Sequence, residues 1–327
     1  MNRLKLALFI GCLALALQAA AWGRSPEEDA WAPDAKDQRR ALPNVTTPPE
    51  RREPAVQLAP IEDEGIIRWV MLPQGEKVAA LTFDLCELDT VTTGCDMDVL
   101  NFLRQRRIPA TLFMGGKWMR THARRVRQIM TEPLFEIGNH AWSHGNCALL
   151  SPEGLRAQVM WTQAQYELLR EDVLRTAREA GAPEPDIPAV PRFFRLPYGR
   201  SSERALKALA GMGMRVIQWD VAAEAGDNSN PKRARRAGRR VASMVRPGSI
   251  LLFHANRVPK GTALLLREVV DALQEAGYHF VTAGQLLEMG TPQTVRDGYF
   301  TYPGDNRALD RKFGVDGTGR KTPFTGR

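Results

Sequence analysis

The chain has 327 residues, 43% of them hydrophobic and 25% charged, with a formal net charge of +8. That balance excludes a collagen-like repeat, wholesale disorder and a polytopic membrane protein, and the length allows one large domain with flanking tails. The basic charge favours encounter with anionic envelope polymers or head groups without specifying chemistry.

At the N-terminus Asn2-Arg3-Leu4-Lys5 precedes an apolar run over 6–17, and Gln18-Ala19-Ala20-Ala21 follows. A basic flank, a short apolar core and a small-residue site make a secretory signal peptide over 1–21, with cleavage after Ala21. The run is too short to span a bilayer. Phe9-Ile10-Gly11-Cys12 leaves a lipid-tethered form as the secondary reading, so the expected location is periplasmic or extracellular. Cleavage leaves Cys86, Cys95 and Cys147. An oxidising compartment permits one disulfide, Cys86 with Cys95 or Cys86 with Cys147. Residues 22–64 are rich in proline and charge and read as a linker, and residues 291–327 read as a flexible tail, because neither stretch buries enough apolar surface to offset ordering entropy.

Between them, over 65–290, strand and helix patterns alternate. Strands are expected at 78–83, 110–114, 134–137, 192–195, 215–219, 249–253 and 278–281. Helices are expected at 97–106, 123–130, 151–180, 202–210, 231–244 and 263–276. Ser151-Pro152-Glu153 supplies the capping chemistry for the longest of them. The alternation predicts an α/β fold with parallel strands and right-handed crossovers, and about seven repeats favour a barrel over an open sheet. Chemistry in such folds gathers where the strands end.

The polar residues of interest fall at those ends. Asp84 closes the first strand in Thr82-Phe83-Asp84 and can ligate a metal, take a proton from a bound water or cap a turn. His140 and His144 follow the third strand, and a helical turn would bring both imidazoles onto one metal. Ala141 after the first histidine excludes the zinc-peptidase pattern, which needs Glu there. Arg195 can hold a carboxylate by bidentate hydrogen bonds. Tyr198, three residues on, can line the mouth and offer its backbone N–H to an oxyanion. His254, at the end of Leu252-Phe253-His254, has the titration range of a general acid. The charge run over 232–240 reads as a solvated helix face, and its lack of interleaved aromatics argues against nucleic acid.

Taken in order, Thr82-Phe83-Asp84, His140 to His144, Arg195-Leu196-Pro197-Tyr198-Gly199, Trp219-Asp220 and Leu252-Phe253-His254 resemble the five motifs of the polysaccharide deacetylase (NodB-homology, carbohydrate esterase) family, over residues 78–287. The resemblance implies a distorted (β/α) barrel of about seven strands and hydrolysis of acetyl groups from N-acetylated glycans such as peptidoglycan or chitin. It implies Asp84 as base, Arg195 as its orienting residue, His254 as acid, and His140 and His144 as ligands of a divalent metal, zinc above all. Tyr198, Leu252 and Trp219 would meet substrate. The sequence departs from the family at Leu85, where a second aspartate completes the metal set, and Glu87 or Asp89 is the nearest carboxylate that could replace it. Asp220, Glu224 and Asp227 are alternative partners for His254. With Leu85 in place, a hydrolase of another amide or ester, metal-independent included, and a glycan-binding pseudoenzyme are the competing readings.

Overall fold

The computed structural model describes residues 30–38, 48–62, 65–88 and 91–317. The expected signal segment, Asp89 and the last ten residues lie outside them.

Ten strands form one curled, mixed sheet: β1 (Ile66–Met71), β2 (Val78–Leu85), β3 (Ala110–Met114), β4 (Phe135–Asn139), β5 (Phe193–Phe194), β6 (Arg215–Ile217), β7 (Val221–Ala222), β8 (Ile250–His254), β9 (His279–Val281) and β10 (Thr291–Val295). Their order is β10-β1-β6-β5-β4-β3-β2-β8-β7, with β9 also paired to β2. Every pair is parallel except β10 with β1. An isolated bridge from Trp69 to Ser249 brings β1 against the start of β8, so the barrel is distorted at that seam.

Period-two alternation sorts the side chains of β2. Ala79, Leu81, Phe83 and Leu85 belong to the outer core, where they meet helices α1 (Met97–Gln105), α3 (Ala123–Met130), α4 (Pro152–Glu179) and α7 (Thr262–Glu275). Val78 and Ala80 face the barrel interior with Phe113, Ile217, Trp219 and Leu252. Thr82 and Asp84 continue that inner row to the mouth. Helix α4 begins as its sequence dictates: Ser151 Oγ accepts from the Gly154 N–H at 3.1 Å, and Pro152 occupies the first turn. The remaining helices are α2 (Gly116–Thr121), α5 (Glu203–Gly211), α6 (Pro231–Ala242), α8 (Ala283–Glu288) and α9 (Ala308–Phe313). Among the described residues no helix is long and apolar enough to cross a membrane.

Two expectations need correction. Where described, the stretch expected to be a linker is packed: Glu167 accepts the N–H groups of Ala55 and Val56 at 2.8 and 3.0 Å, and buried Asp37 pairs with buried Arg125. The stretch expected to be a tail supplies β10, which extends the sheet antiparallel to β1 from Ile66 opposite Val295 to Met71 opposite Thr291, and then α9. Charged side chains with specific partners hold both segments, together with Trp31, Leu58, Val295, Phe300 and Val315, which pack against the core.

Candidate active site

Asp84 is the penultimate residue of β2, on its inner face and 4% exposed, and Arg195 follows β5, fully buried. One guanidinium nitrogen, Nη1, donates to Asp84 Oδ1 at 3.0 Å and to Thr82 Oγ1 at 2.8 Å. The expected bidentate pair is not formed, because Nε donates to the Ile217 carbonyl at 3.2 Å and Nη2 to that of Gln218 at 3.1 Å. The guanidinium also lies over the Phe113 ring at 4.0 Å. Burial pushes the Arg195 pKa down, against the pull of Asp84. The strand ends of β2, β5 and β6 therefore fix one carboxylate rotamer.

The histidines converge without a helical turn. After β4, residues 140–144 run as a loop in which Ala141 and His144 take positive φ of 63° and 58°, a costly conformation for residues with a Cβ. The surroundings hold it: Asn139 Oδ1 accepts the Ala141 N–H at 2.9 Å, Gly116 N–H donates to the Ala141 carbonyl at 3.0 Å, and Gln158 Oε1 accepts the Ser143 N–H at 2.9 Å. The two rings sit 4.8 Å apart, edge to face. His140 Nδ1 makes a 2.9 Å hydrogen bond to the Arg195 carbonyl, which only a protonated Nδ1 can donate, so Nε2 is left with its lone pair. Nε2 is 3.3 Å from Asp84 Oδ2. Burial lowers the pKa of both histidines, keeping them neutral.

The third donor is Cys86. Its Sγ and one nitrogen from each of His140 and His144 all lie within 4.8 Å of one another. His140 Nε2 and His144 Nδ1 are buried and have no hydrogen-bond partner among the described residues. Two unpartnered imidazole nitrogens beside a thiol are a donor set suited to zinc, so these residues fit the metal that the sequence resemblance implies. Leu85 points into the outer core, as strand alternation requires. Glu87, the expected substitute ligand, is turned away: Oε1 accepts the Thr93 N–H at 3.1 Å and Oε2 the Thr121 hydroxyl at 2.8 Å. Burial pushes its carboxyl up to about 7. Cys86, one residue past the end of β2, continues the inward alternation of Thr82 and Asp84, a period that the sequence carries.

Across the mouth, His254 lies in register with Asp84 on neighbouring β8. Its Nδ1 meets Glu224 Oε2 at 2.6 Å, and Thr262 Oγ1 donates to Glu224 Oε1. Burial disfavours the imidazolium, but the Glu224 charge and hydrogen bond, with Asp84 beyond, outweigh it and raise the His254 pKa. Glu224 is thus the partner among the three candidates. Asp220 instead accepts from the Ser249 hydroxyl and the Ile250 N–H, both at 2.9 Å, and Asp227 caps its own loop at Ser229. Leu252 is 3% and Trp219 2% exposed, within the barrel interior. Trp219 Nε1 donates to the Phe300 carbonyl at 3.1 Å, which places it beneath Arg195 rather than on an open surface. Tyr198 reaches the site with φ of 59°, its ring 4.4 Å from that of His144.

Known proteins resemble the chain in sequence and fold. The profile described as polysaccharide deacetylase matches residues 72–183. A peptidoglycan-N-acetylglucosamine deacetylase of Bacillus cereus is 27% identical, covering 69% of this chain and 95% of its own length. The structure of a family 4 acetyl xylan esterase from Clostridium thermocellum, in complex with a cobalt ion, superposes with a TM-score of 0.51 at 26% identity, over 68% of this chain and 98% of that one. A carbohydrate esterase family 4 pseudoenzyme from Bacillus anthracis shares the fold, with a TM-score of 0.52 at 22% identity, over 67% of this chain and 68% of its own. With the motif residues brought to one barrel mouth, and with these likenesses in sequence and fold, the chain resembles the polysaccharide deacetylase family, whose model matches residues 72–183.

Proposed function

We propose that the protein is an exported metal-dependent deacetylase that removes acetyl groups from an N-acetylated envelope glycan, peptidoglycan or a chitin-like polymer. The observation that carries the reading is the placement of an oriented carboxylate, Asp84, 3.3 Å from the free nitrogen of His140, with His254 in register beside it on the next strand. His140, His144 and Cys86 are the residues that would hold the ion. A divalent cation there supplies Lewis acidity toward water and the amide carbonyl.

The chain's own residues do the rest. Asp84 Oδ2 accepts the proton of the attacking water as its oxygen bonds to the carbonyl carbon, and Arg195 keeps that carboxylate in place through its other oxygen. The Tyr198 backbone N–H is our candidate donor to the oxygen on which charge develops. His254 gives its proton to the departing nitrogen as the C–N bond breaks, leaving acetate and a free amine. Glu224 keeps His254 protonated beforehand. Basic surface charge would draw the protein to anionic envelope polymers.

A second reading, a glycan-binding pseudoenzyme, is favoured by Leu85, which leaves the ligand set without a carboxylate. Acetate release from peptidoglycan and chitin oligomers separates the two. The deacetylase reading expects release that depends on added zinc or cobalt and is lost in Asp84→Asn. Absence of release with every glycan and metal, together with retained glycan binding, would establish the pseudoenzyme.

A further inference from the structure

The residues after β10 run back across the barrel mouth. Arg68 donates to the carbonyls of Tyr299 and Phe300 at 2.6 and 3.0 Å, anchoring the start of this segment to β1. Asn306 Nδ2 then donates to the Tyr198 carbonyl at 2.9 Å. Asp310 accepts from Arg200 twice, at 2.8 and 2.7 Å, and from Asn146 Nδ2 at 2.8 Å. The Asn146 N–H donates to the Val315 carbonyl at 2.8 Å. Arg200 lies two residues beyond Tyr198, and Asn146 two beyond His144, so one segment ties together the two loops that bring those rings to the site.

Its end closes over them. The Phe313 ring stacks on Tyr198 at 5.0 Å and 16°, while the Tyr198 ring meets His144 edge-on. The Tyr198 hydroxyl is buried with no hydrogen-bond partner among the described residues, and Cys86 Sγ lies within 4.8 Å of a ring nitrogen of the same His144 that Tyr198 meets. A Cβ on Gly317 would stand 2.1 Å from that hydroxyl oxygen and 3.0 Å from Leu88 Cδ2. Glycine is therefore required there by close approach as well as by its φ of +79°.

We infer that residues 297–317 are a fixed wall of the active site, in which Phe313 and Gly317 close the Tyr198–Cys86 side and Asp310 positions Tyr198 against His144. Ligand then enters from the side of His254, whose side chain is 28% exposed. Two consequences follow. The wall shields the Cys86 thiol, and it favours an acetamide presented at a chain end or a short oligomer over a polymer passing along the mouth in both directions. The second consequence rests on the deacetylase reading; the first does not.

The test uses the full metal-free chain. Modification of Cys86 by a bulky maleimide, followed by peptide mass spectrometry, should run about tenfold faster in Phe313→Ala, the factor that loss of one aromatic pair permits. Cys95, buried in the outer core, is the internal control and should not change. An unchanged Cys86 rate with a stable fold would overturn the wall. If Cys95 also reacts faster, the variant has lost its fold, and Asp310→Asn, which only loosens the anchor, decides in its place by the same two rates. Acetate release then reads selectivity: Phe313→Ala should raise kcat/KM for polymeric glycan relative to a disaccharide, and an unchanged ratio refutes the specificity role. No release by the unmodified chain would sink the deacetylase reading while leaving the thiol result intact.

Discussion

Replacing Glu224 by Gln keeps the shape of the side chain and its contact with Thr262 but removes the charge 2.6 Å from His254 Nδ1. Hydrogen bonds to charged groups contribute about 1.5–3 kcal/mol. Glu224→Gln should therefore lower the His254 pKa, because the charge and hydrogen bond that raise it are lost. The sign follows from the linkage. His254 has a raised folded-state pKa, so the stabilisation it gains from Glu224 is fully present below the ordinary histidine value of about 6.5 and fades as pH rises through the raised value. The parent should exceed the variant in stability by about 1.5–3 kcal/mol in acid, with the gap shrinking toward alkaline pH. Histidine ring NMR against pH reads the shift directly, since the chain has 5 histidines and a His254 substitution assigns its signal. A His254 pKa that stays put or rises in Glu224→Gln would refute the pairing.

Leu85→Asp should restore no metal affinity and should cost about 3–5 kcal/mol in urea unfolding, because that position faces the outer core and the new carboxylate would lack a partner. A stable variant with tighter metal binding would show that β2 presents Leu85 to the mouth. Arg195→Ala, which strands Asp84 without its buried cation, should lose about 3–5 kcal/mol by the same measurement and nearly all acetate release. Asp37→Ala should destabilise comparably by leaving Arg125 unpaired; a loss under about 1 kcal/mol would return the N-terminal stretch to the status of a linker.

The elements that sequence reveals are those whose pattern is local. β3 over Ala110–Met114 and α3 over Ala123–Met130 lie where their apolar runs and helical spacing place them, and the long α4 starts at its Ser-Pro cap. β1 and β10 escape such reading because their pairing joins Ile66 to Val295, far apart in the chain. The motif residues Asp84, His140, His144, Arg195 and His254 were legible, and the structure gathers them. How they meet was not. The histidine spacing suggests a helical turn, whereas Ala141 and His144 adopt left-handed backbone that contacts with Gln158, Asn139, Gly116 and Lys117 maintain. The choice of Glu224 over Asp220 and Asp227 depends on where the loop after β7 folds, and residue type carries no trace of it. Cys86 was within reach of the strand period that explains Leu85, yet a search confined to carboxylates passes over a thiol.

Equilibrium titration of the purified metal-free chain with zinc tests the metal centre most directly. One ion should bind per chain, with binding lost in His140→Ala, weakened in Cys86→Ala and unchanged in Glu87→Gln. No stoichiometric binding, or binding indifferent to both His140→Ala and Cys86→Ala, would contradict the site described.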